Sequence, residues 1–305
     1  MKAAAPVLTA PSAVVSPRTE QKSYASLLSD LFKARLTTLV LLTTLVGFYL
    51  GSVGAPNYAL MLNTVLATAL VASGAAALNQ LIERDYDAKM RRTQDRPLPS
   101  GRMTPEAALV IGGACAVAGL AYLALAVNLL TAFLGTVTLF SYVFVYTPLK
   151  RVTTLNTAVG AIPGALPPLM GWTAARDSIS GQGWALFAIL FFWQLPHFLA
   201  IAWMYREEYR KAGFVMLPTV DPDGGRTGSQ ALCHTLGLLP MSLCPFVFRV
   251  DGPIYLFGAL ALGCGFIWQA WRFARDLTQR RARALFYASI IYLPLLLGLM
   301  VLDKV

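Results

Sequence analysis

The sequence predicts an all-α polytopic membrane protein with nine transmembrane helices and its N-terminus in the cytoplasm. Composition is the first ground. Of 305 residues, 56% are hydrophobic and 13% charged, at a mean hydropathy of +0.58; soluble domains carry roughly a quarter charged residues and have no interior for this much apolar surface. The second ground is spacing, because the charges are separated by intervals long enough for crossings of about 20 residues. The third is that Lys and Arg occupy alternate connections. The net charge of +10 does not indicate a nucleic-acid partner, since long uncharged stretches break up any basic surface.

Residues 1–30 are expected to form a disordered cytoplasmic tail, and residues 31–305 a single intramembrane domain. The first 24 residues are rich in Ala, Pro, Ser and Val and lack the apolar core of a signal peptide. Lys2, Arg18 and Lys22 suit a mitochondrial presequence by composition, but no Arg-rich amphipathic helix is evident. The expected location is therefore a bacterial cytoplasmic (inner) membrane rather than the mitochondrial inner membrane. Between Arg35 and Glu83 lie 47 residues without Asp, Glu, Lys or Arg, and between Glu106 and Lys150 lie 43. Each interval holds two crossings, divided at Gly51–Asn57 in the first and near Asn128 in the second. Five single crossings follow, in the 24 residues after Arg151, 28 after Asp177, 22 after Arg226, 20 after Asp251 and 19 after Arg283. With the N-terminus inside, 22 of the 25 Lys and Arg fall on cytoplasmic segments, leaving Arg176, Arg249 and Lys304 outside. The four cysteines, Cys115, Cys233, Cys244 and Cys264, sit in apolar segments without CxxC spacing and suggest neither zinc nor disulfides.

Twelve of the fifteen acids share the cytoplasmic side, and they cluster. At the end of the second crossing, Asn79, Glu83 and Asp87 recur at i, i+4 and i+8, so one helix face presents an amide and two carboxylates. Stacked carboxylates repel, and acids at a helix C-terminus oppose the macrodipole, so the run is unfavourable unless cations bind. Three hard oxygen donors suit Mg²⁺. The following loop carries Arg91, Arg92, Arg96 and Arg102 around Pro97, Pro99 and Gly101, which forbid a continuing helix. Guanidinium groups on a stiff loop beside a metal site make a diphosphate clamp, although Arg91 and Arg102 serve equally well as membrane anchors. Thr104, Pro105 and Glu106 then start the next helix as N-cap, first residue and first-turn acid. After the sixth crossing, Glu207, Glu208 and Tyr209 form a second acidic cluster at the same depth, which implies a second metal. Trp172, Phe191, Phe192 and Trp193 could wall a dry chamber, and His197, after Pro196, is an intramembrane histidine and so a functional candidate. His234 is expected to be structural.

Asn79-x-x-x-Glu83-x-x-x-Asp87 followed by Arg92-Thr93-x-x-Arg96-Pro97-Leu98-Pro99-Ser100-Gly101 resembles the first signature of the UbiA-type intramembrane prenyltransferases, in which an Asn and two acids bind Mg²⁺ and a prenyl diphosphate. Gln80, followed by Glu83-Arg84-Asp85, is similar to the subfamily that farnesylates protoheme IX, the heme O synthases. Tyr146-Thr147-Pro148-Leu149-Lys150-Arg151 with Asn156, Gly164 to Trp172, and Trp193-Gln194-Leu195-Pro196-His197-Phe198 resemble the same subfamily. The resemblance implies a nine-helix bundle with Mg²⁺ held by Asn79, Glu83 and Asp87, and by Glu207 and Glu208. It also implies transfer of farnesyl from farnesyl diphosphate to a vinyl group of heme B with addition of water, giving heme O and diphosphate. Arg92, Arg96 and Lys150 would act on the diphosphate, with Arg91, Arg151, Asn156, Trp172, Trp193, His197 and Tyr209 around the substrates. Besides the lipid bilayer, a downstream heme-modifying membrane enzyme is a candidate partner. Two rivals are a prenyltransferase for an aromatic quinone precursor and a polytopic transporter of an anionic solute, the latter disfavoured by the lack of midplane charges and inverted repeats.

Overall fold

The computed structural model describes residues 23–305, and every regular element among them is helical. In chain order these are α1 (Tyr24–Leu31), α2 (Ala34–Gly51), α3 (Tyr58–Asp87), α4 (Pro105–Ala126) and α5 (Leu129–Phe140). A π-helical stretch, Ser141–Tyr146, runs on into α6 (Thr147–Leu149), followed by α7 (Asn156–Arg176) and α8 (Gly181–Met204). The short α9 (Arg206–Ala212) and α10 (Leu217–Val220) precede α11 (Gly225–Val247), α12 (Pro253–Arg275) and α13 (Gln279–Leu302). Polar side chains start many of them. Asn57, Thr104, Asn128, Ser180 and Thr278 each accept a backbone N–H in the first turn of the helix that follows.

Eight helical segments among the described residues are long and apolar enough to cross a membrane: α2, α3, α4, Leu129–Leu149, α8, α11, α12 and α13. The ninth expected crossing falls on α7, which is 21 residues long but carries Pro163, Pro167 and Pro168 in its interior, and no stretch of it reaches the apolarity of those eight. Its neighbours explain that composition. α7 packs on α2, α5 and α8, and Ala165 to Ala174 is buried without a break. A helix solvated by other helices needs less apolar side-chain surface than one solvated by lipid, and its neighbours can serve the carbonyls that proline frees. Each long helix touches the next, and α13 returns to α2, so the bundle closes around α7 and α8.

Small residues set the closest approach. A Cβ on Gly47 of α2 would lie 2.0 Å from the Pro168 carbonyl oxygen, and one on Gly171 of α7 would lie 2.0 Å from the Thr44 carbonyl oxygen. The two backbones therefore touch through glycine from both sides.

Of the tail expected over residues 1–30, residues 1–22 lie outside the described residues, and the remainder departs from the expectation. Tyr24–Leu31 is helical because Ser23 caps its first turn and Leu31 is fully buried against Ala77, Leu98 and Ala108. Gln80 of α3 also reaches its last carbonyls, its Nε2 donating to Asp30 O at 2.9 Å and Leu31 O at 2.6 Å. Local composition carried no sign of this, since the partners lie about fifty residues away.

Gly171→Ala should force α2 off α7 and lower stability by about 1–3 kcal/mol, read as a reduced thermal midpoint in detergent. An unchanged midpoint would mean the two helices are not locked at this crossing.

Candidate active site

The α3 face predicted from spacing exists and points inward. Asn79, Glu83 and Asp87 are 0%, 5% and 1% exposed. Each meets a cation or an amine from a different part of the chain. Lys150 Nζ lies 2.6 Å from Glu83 Oε1, Arg96 Nη1 lies 2.6 Å from Asp87 Oδ2, and Lys33 Nζ donates to Asn79 Oδ1 at 2.5 Å. Asn79 Nδ2 in turn donates to Thr147 Oγ1 at 2.8 Å, and that hydroxyl donates to Tyr142 O at 2.8 Å. Glu83, Asp87, Lys33, Arg92, Arg96 and Lys150 all line one cavity of about 180 Å³ at this end of the bundle. Its other walls include Leu36, Tyr146, Phe198, Ile201, Phe214 and Met216.

Local structure explains how the cations arrive. Pro148 offers no N–H, and the helix before it widens into the π-helical stretch, where the Thr147 hydroxyl serves the Tyr142 carbonyl. Lys150 follows at once, its ammonium 4.5 Å from the centre of the Tyr146 ring. Burial opposes its charge, but Glu83 and the neighbouring tyrosines outweigh burial and hold it above the usual lysine range. Arg96 is placed by the 88–104 loop, in which Thr93 Oγ1 donates to Asp87 O at 2.8 Å and Gly101 turns the chain at φ 71°. Lys33 sits between α1 and α2 in a left-handed backbone conformation, φ 48°. Burial, and then the nearby Arg96, push its amine down to about 7. Gln80 fixes this elbow by holding the Asp30 and Leu31 carbonyls.

The other expected site residues divide. Tyr209 lines the cavity and its hydroxyl accepts from Arg92 at 3.2 Å. Glu207, on the same short helix, is instead taken by Arg210 and is about half exposed, whereas Glu208 keeps a buried Oε2 without a partner. Arg151 donates to the Tyr86 hydroxyl at 3.0 Å beside the mouth, and Arg91 is exposed without reaching the cavity. Asn156 clamps the start of α7 to the segment after α9, its Nδ2 donating to Val215 O at 2.7 Å, while the adjacent Thr157 faces the cavity. Trp172 lies toward the opposite end of α7, away from these groups, because α7 enters the bundle at Asn156 and ends at Arg176. Trp193 is buried with its indole N–H on Ser289 O at 2.8 Å. His197 stacks on Trp193 at 5.0 Å, and its Nδ1 lies 2.7 Å from Ser289 Oγ. Ser289 Oγ also lies 2.6 Å from Phe286 O, and the tautomer protonated at Nδ1 satisfies both contacts. It is the next residue, Phe198, that lines the cavity. Sequence reasoning missed Lys33, Thr147 and Tyr146. The last two stand in the Tyr146-Thr147-Pro148 stretch beside Lys150, but Lys33 looks like any other residue of a basic N-terminal segment.

Four cations and two buried carboxylates around one cavity can hold a polyanion together with a divalent metal. No three acidic, His or Cys side chains among the described residues converge closely enough to hold an ion alone.

The sequence is 48% identical over 284 residues to a protoheme IX farnesyltransferase of Solibacter usitatus, covering 90% of this chain and 97% of that one. It is 43% identical over 310 residues to a protein of the same name from Koribacter versatilis, covering 97% and 98%. In fold it is similar to a digeranylgeranylglyceryl phosphate synthase, with a TM-score of 0.78 at 15% identity over 92% of this chain and 98% of that one. It is also similar to a UbiA homolog from Archaeoglobus fulgidus bound to GPP and Mg²⁺, with a TM-score of 0.64 at 16% identity over 90% and 99%. With residues 40–293 matching the family as a whole and the Asn79–Glu83–Asp87 face buried against its cations, this chain belongs to the UbiA prenyltransferase family.

Proposed function

We propose that this chain transfers farnesyl from farnesyl diphosphate to a vinyl group of heme B, with addition of water, giving heme O and diphosphate. Two buried carboxylates, each ion-paired at 2.6 Å and facing one cavity with Lys33 and Arg92, carry the prenyl-transfer chemistry. The choice of farnesyl and heme rests on the relatives named protoheme IX farnesyltransferase. A homolog of the same fold is bound to GPP and Mg²⁺, and the donors of this chain fit such a metal: Asn79, Glu83 and Asp87 are hard oxygen ligands on one face. Glu208, with its unpartnered buried oxygen, is the second cluster's best donor. When bound, Mg²⁺ would neutralise charge on the departing diphosphate.

Lys33, Arg92, Arg96 and Lys150 bind the diphosphate oxygens and stabilise the charge that grows as the farnesyl carbon–oxygen bond breaks. Tyr146 and Phe198 present ring faces to the allylic cation, and the apolar wall keeps water from quenching it. The vinyl group then supplies the electron pair for the new carbon–carbon bond, and the cation left on the porphyrin side takes up water, which loses a proton. A cavity of about 180 Å³ is small beside ligand sites of about 300–1,000 Å³, so it takes the diphosphate head. The farnesyl chain lies between helices, gaining about 0.8 kcal/mol per buried CH₂. The charged end opens to the cytoplasm of a bacterial cell, on the side of the N-terminus, because diphosphate cannot cross hydrocarbon cheaply and the basic residues gather there. A downstream heme-modifying enzyme in the same membrane would take the product.

Asp87→Asn should cut turnover by roughly 10²–10³-fold with the protein still folded in detergent, measured with heme B, farnesyl diphosphate and Mg²⁺ and mass detection of the farnesylated heme. Wild-type turnover in EDTA would remove the metal from the mechanism. Arg96→Ala should raise KM for farnesyl diphosphate and spare heme binding, whereas His197→Ala should weaken heme binding and spare that KM. Unchanged heme affinity in His197→Ala would leave this histidine with only its Ser289 packing role. Single cysteines at Gln94 and Gly225, both exposed, in a background without the native cysteines, should react with impermeant maleimide from the cytoplasmic side alone. Labelling from opposite sides would break the two-segment site.

A further inference from the structure

At the other end of the bundle lies a second cavity, of about 360 Å³, between the ends of α2, α7, α11 and α13 and the start of α8. Arg176, Arg249 and Lys304 line it. They come from three separate connections and are the three basic residues that the alternation of charge leaves off the side of the active site. No Asp or Glu side chain shares the lining. On adjoining segments, Asp303 accepts the Tyr255 N–H at 2.7 Å, and Asp251 is buried. Burial, and then Asp303, push the Asp251 carboxyl up to about 7, and Lys304 opposes that rise.

Two of the cations have structural duties. Lys304 Nζ donates to Tyr49 O at 2.6 Å and Ser52 O at 2.8 Å, and Arg176 Nε donates to Gly51 O. Both thereby serve the carbonyl end of α2, where the macrodipole is negative. These duties leave two donors unexplained. The Arg249 guanidinium makes no hydrogen bond or ion pair among the described residues, while its backbone N–H donates to Phe246 O at 3.0 Å, and the residue occupies a left-handed position just past α11, φ 56°, where glycine fits at least cost. Trp172, in the cavity wall and 3% exposed, has a buried indole N–H with no partner. The Arg176 guanidinium lies 5.4 Å from the centre of the same ring.

An unpaired guanidinium and two further cations line a space whose lining holds no carboxylate, and an indole N–H without a partner is buried in its wall. The complement is an acceptor-only anion. The buried Leu50 and Val250 and the exposed Val53 give the lining its apolar part. We propose that this cavity is a phosphate-group site, distinct from the active site, that takes either the headgroup phosphate of an anionic phospholipid or free inorganic phosphate.

Arg249→Gln keeps the backbone and breaks no contact, and Trp172→Phe keeps the ring, so both variants should fold. The full chain would be titrated with phosphatidylglycerol in detergent by native mass spectrometry, and separately with inorganic phosphate by calorimetry. Wild-type protein should bind one phosphatidylglycerol about tenfold more tightly than Arg249→Gln, with Trp172→Phe weakened in the same direction. If excess inorganic phosphate does not displace the lipid, the ligand is the headgroup. If phosphate alone binds and Arg249→Gln abolishes it, the ligand is the free anion. Equal affinity of wild type and both variants for both probes would overturn the site.

Discussion

Two carboxylates buried at the end of α3 impose the arrangement around them. Glu83 and Asp87 are nearly inaccessible to water, and an unpaired charge there would be strongly destabilising; removing one partner of a buried pair costs about 3–5 kcal/mol. Every nearby feature supplies a counter-charge or holds one in place. The π-helical stretch and Pro148 deliver Lys150 to Glu83, and the proline-stiffened loop delivers Arg96 to Asp87. The left-handed elbow at Lys33, braced by Gln80, brings a third amine onto Asn79. Such pairs add little net stability over an apolar core, so their retention points to chemistry. On the proposed function, the cations that balance the carboxylates in the free protein are the groups that would meet a diphosphate once carboxylate oxygens turn to a metal.

The same constraint explains why the described part of the bundle carries its charge at the helix ends. The spans between are held by close backbone contact and by hydroxyls that serve their own helices, as with Thr44 on Val40 O and Thr235 on Ala231 O. Lipid offers no hydrophobic drive between helices, so α2 and α7 meet through Gly47 and Gly171. α7 can hold three prolines because it faces helices on several sides. That placement leaves its two ends in different environments, Asn156 beside the active-site cavity and Trp172 with Arg176 beside the second one.

What was legible in the sequence was what the helix repeat encodes locally. Asn79, Glu83 and Asp87 were readable because α-helical periodicity puts them on one face whatever surrounds them, and the cap at Thr104 and the breaks at Asn57 and Asn128 stand where short-range chemistry puts them. Contacts across the fold were not readable. Lys33 meets Asn79 across 46 positions, and nothing in a basic N-terminal segment distinguishes it. The order of Glu207, Glu208 and Tyr209 was plain, but their directions depend on the break at Tyr205, which resets the helical phase and turns Tyr209 inward and Glu207 out. Trp172 failed for a related reason, since an apolar stretch carries no mark of which membrane face a given aromatic approaches. His197 was singled out for its rarity and place, yet its ring direction is set by Ser289 on α13.

The two cavities also differ in how their positive charge is balanced, and that difference decides what each can bind. Around the first, Arg96, Lys150 and the Lys33 amine already face oxygen donors of the protein; on the proposed function an incoming anion would replace those partners, and a metal taking over the carboxylates would favour the exchange. Around the second, Lys304 and Arg176 are spent on carbonyls of α2 that cannot leave, and Arg249 has nothing to release. On the proposed function, binding at the first end would thus be conditional on a cation, as suits a site that must let its diphosphate depart. Binding at the second end needs no exchange. It suits an anion that stays.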